Sequence, residues 1–444
     1  MKIHTLRLRN FRKFSDYTFQ FNSQFTVLIG DNASGKSSVL DASSIMLGSY
    51  LLKFNVGSGG RSGIKKTDAK LKIFEKNDQI TLEQQVPIFL TAQGTLHGNN
   101  IEWTRNLGDR GKEARELIQI GHEDLLSVSK GEDVNLPIML YYGTGRLWDY
   151  HRKVPVGKPE SRTVGYRNCL DMKSDHHLFE KWFKHLELSA LQRNKNIGTL
   201  EAVRLAVKTC IPKAEHFYYD VANDSLIIEF KDEGYCLFGN LSDGYRNMIA
   251  MVADIAHRCA RLNPHLAAEA ARESSGVVLI DEIDLHLHPQ WQRHVVRDLK
   301  KAFPKMQFIV TTHSPFILQS LELGEVIDLN KTDFGITLSS IDDIATPAPS
   351  GEYSDKSIED IVEYVMGVEV PQRSHRQQEM YSVAKQYYTV LQEAKDSNNS
   401  KKEELKSKLD ELSAPFSDNQ AYHAFLEMER IDAGLGSQKR KGYK

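Results

Sequence analysis

The stretch that most limits what this chain can fold into is residues 276–289, GVVLIDEIDLHLHP. Val277, Val278, Leu279 and Ile280 form an unbroken aliphatic run, which predicts a strand buried on both faces, as in a parallel sheet. Asp281 and Glu282 follow at once. Ionised carboxylates are costly at the edge of a core. They make sense at the carboxyl end of an α/β sheet, where ligands bind and one carboxylate can face a metal-bound phosphate and the other a water. An ordinary Asp-Glu turn would suit most chains. Here it loses, because other parts of a nucleotide site lie elsewhere in the sequence.

Residues 30–37, GDNASGKS, fit the phosphate-loop pattern G-x-x-x-x-G-K-[ST]. They follow a predicted strand, Val27-Leu28-Ile29, and precede SSVLDASSIMLG, which reads as a helix. Gly30 and Gly35 let the backbone wrap so that successive N–H groups and the helix amino terminus face phosphates. Asn32, Ala33, Ser34 and Ser38 belong to the same expected ATP-binding set. Lys36 is the point charge for the β- and γ-phosphates, and the Ser37 hydroxyl is a Mg²⁺ ligand. The preceding basic turn, RLRNFRKF, carries Arg7, Arg9, Arg12 and Lys13. By composition it is a solvated edge, but its position before the loop allows a reach to the same phosphates.

Two weaker motifs gain weight from this order. LSDGYRN at residues 241–247 leads into the amphipathic stretch MIAMVADIAHRCARL. Ser242 is placed as its N-cap, and Gly244 lets a backbone N–H approach an anion. Residues 306–310, MQFIV, read as another buried strand, ending in TTHSP with His313. Between them, IDLHLHP offers Asp284 and the pair His286/His288, for which a metal site is the less favoured reading. PIMLYY at residues 137–142 is a further buried strand, and the glycine-flanked Arg146 beyond it reaches the nucleotide pocket, the opposite subunit or simply a turn.

Length and charge set the outer limits. A chain of 444 residues suits one large α/β domain with an insertion or appendage. A formal net charge of −2 provides no global positive field for nucleic acid. The widely spaced Cys169, Cys210, Cys236 and Cys259 argue against a zinc site or disulfide framework. No signal peptide or membrane-length apolar run is read, so a cytoplasmic location is expected. The expected organisation is an N-terminal ATPase lobe at 1–150, a mainly helical inserted lobe at 151–235, a second ATPase lobe at 236–345 and a helical appendage at 355–444. Residues 53–68 read as a Gly/Ser/Lys loop, and residues 69–106 as antiparallel strands. His176, His177 and His185 read as surface residues. In the appendage, Met380, Val383, Tyr387, Val390, Leu391 and Ala394, then Leu405, Leu409 and Leu412, follow helical spacing around a turn at 397–400. Lys439, Arg440, Lys441 and Lys444 read as a frayed basic end.

Taken in order, GDNASGKS, LSDGYRN, GVVLIDE, IDLHLHP and TTHSP resemble the motif set of the ABC-type ATPases of the SMC, RecF and OLD group, over roughly residues 1–345. The resemblance implies an α/β fold: an ABC-type P-loop ATPase head with antiparallel side sheet, helical insertion and C-terminal helical appendage. It implies that two heads sandwich two ATP molecules. Lys36 and Ser37 would bind phosphate and Mg²⁺, Asp281 would support the Mg²⁺, and Glu282 would be the general base polarising the attacking water. His313 would touch the γ-phosphate, and Ser242 and Gly244 would reach the other subunit's nucleotide. Asp284 would sit in the dimer-facing loop, and Arg12 matches the family's amino-terminal arginine. The strand LPIMLYYGTGRLW stands where the family presents a glutamine to Mg²⁺, and it has none.

The insert between phosphate loop and signature lacks long heptad arrays, which excludes a coiled-coil SMC-type protein. The compact head, YYGTGRLW and the tail PFSDNQAYHAFLEMERIDAGLG look more like the PtuA family, the ATPases of Septu anti-phage systems that also occur with some retrons. That resemblance implies an HNH nuclease partner, PtuB, a homodimer through the heads within a higher homo-oligomer, and DNA contact through the complex. No H-N-H, D…E-x-K or Toprim-like cluster is found here, so cutting is assigned to the partner. The alternative is a RecF-like repair ATPase that binds DNA directly.

Overall fold

The aliphatic runs that read as doubly buried strands meet in one sheet. The computed structural model describes the chain except for residues 55–62, 77–78, 110–113, 147–160, 173–175, 233, 331–343, 346–352, 368–373, 397–398, 417–418 and 434–444. Half of the 53–68 loop, Leu147 and Trp148 of YYGTGRLW, half of the 397–400 turn and the basic end therefore lie outside the described residues, as do the side chains of His176 and His177. The strands are β1 (Lys2–Phe11), β2 (Phe14–Gln20), β3 (Phe25–Ile29), β4 (Lys70–Lys76), β5 (Gln79–Gln85), β6 (Ile88–Leu96), β7 (Asn99–Leu107) and β8 (Ile138–Tyr142). They continue as β9 (Ala214–Asp220), β10 (Ser225–Phe230), β11 (Gly234–Leu237), β12 (Gly276–Ile280), β13 (Met306–Thr311), β14 (Val326–Asp328) and β15 (Ile344–Ala345). The principal helices of this region are α1 (Lys36–Gly48), α2 (Arg115–Ser129), α3 (His176–Arg193), α4 (Gly198–Cys210) and α5 (Asp243–Leu262).

A five-stranded sheet has the order β14-β3-β13-β12-β8, with every neighbouring pair parallel. It draws β3 and β8 from the first 150 residues and the other three strands from beyond residue 275, so two distant stretches share one core. Val277, Val278, Leu279 and Ile280 are all fully buried. Each such side chain contributes roughly 1.5–3 kcal/mol relative to exposure, enough to hold the acidic pair that follows at the sheet's edge.

A second sheet, antiparallel through β2-β1-β6-β7 with β15 added in parallel to β2, faces the other side of α1. Gln307 joins the two sheets. It is fully buried on β13, and its amide accepts from the Ile3 N–H at 2.8 Å and donates to the carbonyls of Ile3 at 2.7 Å and Asn22 at 2.9 Å. On β7, the Trp103 indole donates to the Met46 carbonyl of α1 at 3.0 Å. The inserted region contributes α3 and α4 and a three-stranded antiparallel sheet, β11-β10-β9.

Helix α5 is tied to β8 by a buried polar knot. The Tyr142 hydroxyl donates to Asp254 at 2.8 Å, and the Arg258 guanidinium donates to Asp254 at 2.9 Å and to the carbonyls of Gly165 and Arg167 at 2.8 and 2.9 Å. His257, also buried, packs its ring 4.3 Å from that of Trp182.

The chain divides into two compact units, Met1–Ile361 and Val362–Lys444. The second is built from helices His375–Asp396, Asn399–Ser413 and Gln420–Asp432 around Tyr387, Val390, Leu391, Ala394, Leu409 and Leu426. The Tyr387 hydroxyl donates to the Leu426 carbonyl at 3.2 Å, and Asn419 caps the last helix by accepting from the Tyr422 N–H at 3.1 Å.

Burial holds the His257 imidazole below its ordinary pKa of 6.5, against the opposing pull of Asp254. The unfolded chain therefore takes up a proton as pH falls through 6.5 while the folded chain resists, so acidification below that value costs stability, at most about 1.4 kcal/mol per pH unit from this group. Urea unfolding midpoints at pH 7.5 and 5.5 check this: the wild type loses stability between them, and His257→Gln loses less.

Candidate active site

Three parallel strands end side by side, and each hands a motif to the same edge. From β3 the chain turns through residues 30–35 into α1. Gly35 is left-handed at φ 101°, and a Cβ on it would stand 2.8 Å from Lys13 Cδ and Phe14 Cζ, so the loop closes tightly on the β1–β2 turn. Lys13 Nζ donates to the Ala33 carbonyl at 3.2 Å. Asn32 and Ala33 are exposed, whereas Ser34 is buried with its hydroxyl lacking a hydrogen-bond partner. Lys36 is 8% exposed, and its ammonium donates to the carbonyls of Gly30 at 2.7 Å and Asp31 at 2.9 Å. Burial lowers its pKa, opposed by Asp281, Asp31 and Glu282.

From β12 the chain delivers Asp281 and Glu282, and from β13 Thr311. The exposed Ser37 hydroxyl donates to Asp281 Oδ2 at 3.0 Å. Thr311 Oγ1 donates to Asp281 Oδ1 at 2.6 Å and accepts from the Glu282 N–H at 2.7 Å. Glu282 adopts φ 50°, a left-handed backbone that costs a non-glycine residue on the order of 1–3 kcal/mol. His313, two residues past the strand, is exposed.

Arg12 is gathered into the same region but is held by carboxylates. Its guanidinium donates to Asp41 at 2.6 Å, to Asp68 at 3.1 Å and to Ser38 Oγ at 3.4 Å. Burial alone would lower its pKa, and the charges of Asp41 and Asp68 outweigh that and raise it. Tyr141 on β8 donates to the other oxygen of Asp41 at 2.9 Å.

The signature segment lies elsewhere. Ser242 occupies the N-cap of α5, exposed and with no side-chain capping bond, so the local role expected of it is not used. Gly244 packs on the loop after the acidic pair, where an added Cβ would stand 2.4 Å from the His286 carbonyl. Asn247 donates to the Leu285 carbonyl at 3.1 Å, and Asp284 accepts from Thr312 at 2.5 Å. His286 and His288 are both exposed, and His288 Nδ1 accepts from the Gln290 N–H at 3.3 Å as a helix N-cap. Among the described residues no hydrogen bond links Ser242 or Gly244 to residues 30–38.

In the sequence TTHSP points to His313, and no role is legible for Thr311, Asp41, Asp68 or Asn247. A hydroxyl or amide that bridges distant segments leaves no spacing to read. The arrangement fits a magnesium nucleotide. Mg²⁺ accepts one or two protein oxygens beside phosphates and water, and Ser37 and Asp281 present that number. The Lys36 ammonium and the unpartnered Ser34 hydroxyl are donors suited to phosphate oxygens.

The fit of Gly244 gives a direct check. Gly244→Ala forces a Cβ against a backbone carbonyl that cannot swing aside, so the start of α5 and the 284–287 loop must separate. The expected cost is about 1–3 kcal/mol, read as a lowered melting temperature.

Residues 2–333 match the family described as the RecF/RecN/SMC N terminal domain. The chain is 26% identical over 396 residues to the Retron Vc95 probable ATPase of Vibrio cholerae serotype O1 biovar El Tor, covering 77% of this chain and 76% of that protein. It is 26% identical over 399 residues to the Retron Ec83 probable ATPase of Escherichia coli, covering 72% and 70%. Identity to the Septu protein PtuA of Bacillus mycoides (strain KBAB4) is 26% over 335 residues, covering 73% of this chain and 40% of that protein. Among solved structures, the SMC head domain from Thermotoga maritima superposes with a TM-score of 0.43 at 17% identity, covering 74% of this chain and 94% of that one. With the family match running through the phosphate loop, the signature segment and the acidic strand, the chain belongs to the RecF/RecN/SMC N-terminal domain family of ATPases.

Proposed function

We propose that this chain is the ATP-hydrolysing regulatory subunit of an anti-phage defence complex, in which ATP-dependent pairing of two heads controls a bound HNH nuclease of the PtuB kind. The ATPase part is carried by one observation, the hydrogen-bonded series Ser37–Asp281–Thr311–Glu282 across three strand ends. The defence part is supported by the likeness to two retron ATPases and to Septu PtuA.

In this reading Lys36 exchanges its two backbone carbonyls for β- and γ-phosphate oxygens, and the backbone N–H groups of residues 30–38 and the Ser34 hydroxyl complete the cradle. Ser37 and Asp281 would hold Mg²⁺, which supplies neutralisation of phosphate charge. Glu282 orients the attacking water and accepts its proton. His313, exposed beyond β13, contacts the γ-phosphate, and Arg12 steadies the loop from the side of Ser38 and Asp41. Ser242 and Gly244 meet the nucleotide of a second copy, with Asp284 in the loop between the two heads. Residues 1–150 and 236–345 act as the ATPase lobes, 151–235 as the insert and 355–444 as the docking appendage for the nuclease, in the cytoplasm.

Co-expression with the neighbouring genes, purification on a tag and a DNA-cleavage assay test the whole reading. A small HNH protein is expected to co-purify, with cleavage that responds to ATP and changes in Lys36→Ala. Glu282→Gln should keep ATP binding and lower turnover by about 10²-fold or more. Recovery of this chain alone, bound to DNA in an ATP-dependent and salt-sensitive way, would favour the RecF-like repair reading instead.

A further inference from the structure

Arg146 is 5% exposed, and its guanidinium is spent on main-chain and amide oxygens from three segments. Nη1 donates to the carbonyls of Gly143 at 3.0 Å and Asp281 at 2.8 Å. Nη2 donates to the Glu282 carbonyl at 2.8 Å, and Nε to Asn247 Oδ1 at 2.9 Å. Both carbonyls of the acidic pair are therefore captured by one rigid fork, and the Asp281 side chain is the one that accepts from Ser37 of the phosphate loop. Lysine could not reproduce this, because its ammonium is a point donor without the planar geometry.

The fork also explains how Glu282 keeps its left-handed backbone. Its N–H is fixed by Thr311 and its carbonyl by Arg146, so the strained residue is fastened at both ends. Burial lowers the Arg146 pKa to about 10, against the opposing charges of Asp284, Asp281 and Glu282, which leaves it cationic at neutral pH.

Asn247 extends the connection. It lies three residues after Gly244 on α5, hence on the same helix face, and its amide both accepts from Arg146 and donates to the Leu285 carbonyl. This amide links the start of α5 to the 284–287 loop and to the fork.

We infer that Arg146 is a positioning residue that, through Asn247, couples docking of the α5 amino terminus on a second copy's nucleotide to the placement of Glu282 for hydrolysis. The inference rests on the ATPase reading above and adds to it the route by which the second copy's engagement reaches the general base. Removing the fork should spare nucleotide binding, since neither Arg146 nor Asn247 bonds to residues 30–38 among the described residues, and should slow the chemical step.

The test measures kcat, KM and fluorescent-ATP affinity for the full chain as Arg146→Gln, Arg146→Lys, Asn247→Ala and the Arg146→Gln/Asn247→Ala pair, with thermal melts of each. Arg146→Gln is expected to hold ATP within about threefold of wild type and to lose about tenfold or more in kcat. Arg146→Lys should recover part of that loss, and Asn247→Ala should add less in the Arg146→Gln background than alone. A folded Arg146→Gln with wild-type kcat, or fully additive losses, overturns the inference. If Arg146→Gln does not fold, Asn247→Ala decides: lower kcat at unchanged ATP affinity supports the coupling, and unchanged kcat overturns it. Glu282→Gln is the separate control. If it turns over ATP like wild type, the ATPase reading itself fails, whatever Arg146 does.

Discussion

One hydroxyl holds the centre of this structure. Thr311 Oγ1 gives its proton to Asp281 and takes the N–H of Glu282, so a single atom fixes the side chain of one carboxylate and the backbone of the next. Two adjacent carboxylates at the end of a buried strand would otherwise repel each other and swing toward water. With Thr311 between them, Asp281 is held toward Ser37 and the phosphate loop, while Glu282 has its left-handed backbone fixed through its N–H. One carboxylate held toward the phosphate loop, beside a second on a fixed backbone, is the arrangement that the proposed chemistry uses. It depends on β12 and β13 being neighbours in parallel register, with Ile280 opposite Val310.

The sequence announces the elements of this arrangement more clearly than the contacts between them. A parallel strand covered on both faces must be apolar throughout, so β12 and β13 stand out as aliphatic runs, and the spacing of Gly30, Gly35, Lys36 and Ser37 reads as a phosphate loop. The Ser242 N-cap position is equally legible, because helix starts obey local rules. Arg146 is different. A glycine-flanked arginine after a strand suits a pocket, a partner or a turn equally well, and only the tertiary fold brings it to carbonyls 135 and 136 positions away. Arg12 shows the same limit: its position before the loop is readable, whereas the carboxylates that hold it, Asp41 and Asp68, come from α1 and from the residues leading into β4.

Among the described residues the start of α5 makes no hydrogen bond to residues 30–38; it packs on the loop at Asp284–Leu287 and reaches the acidic pair through Asn247 and Arg146. An exposed Ser242 that does no capping is a hydroxyl without local employment. Under the proposed function, a second copy presents its own α5 to the first copy's nucleotide. The buried knot of Tyr142, Asp254 and Arg258 anchors the body of α5 to β8, and Ser242 at the start of that helix is exposed.

The most direct measurement is a cross-link between copies. A chain carrying Asn32→Cys is mixed with one carrying Ser242→Cys, both exposed positions, and disulfide formation between chains is followed with and without magnesium ATP, using the wild-type chain as the blank. Pairing of the heads on ATP predicts an inter-chain product that requires ATP and is absent with ADP. ATP bound to both chains with no such product would contradict it.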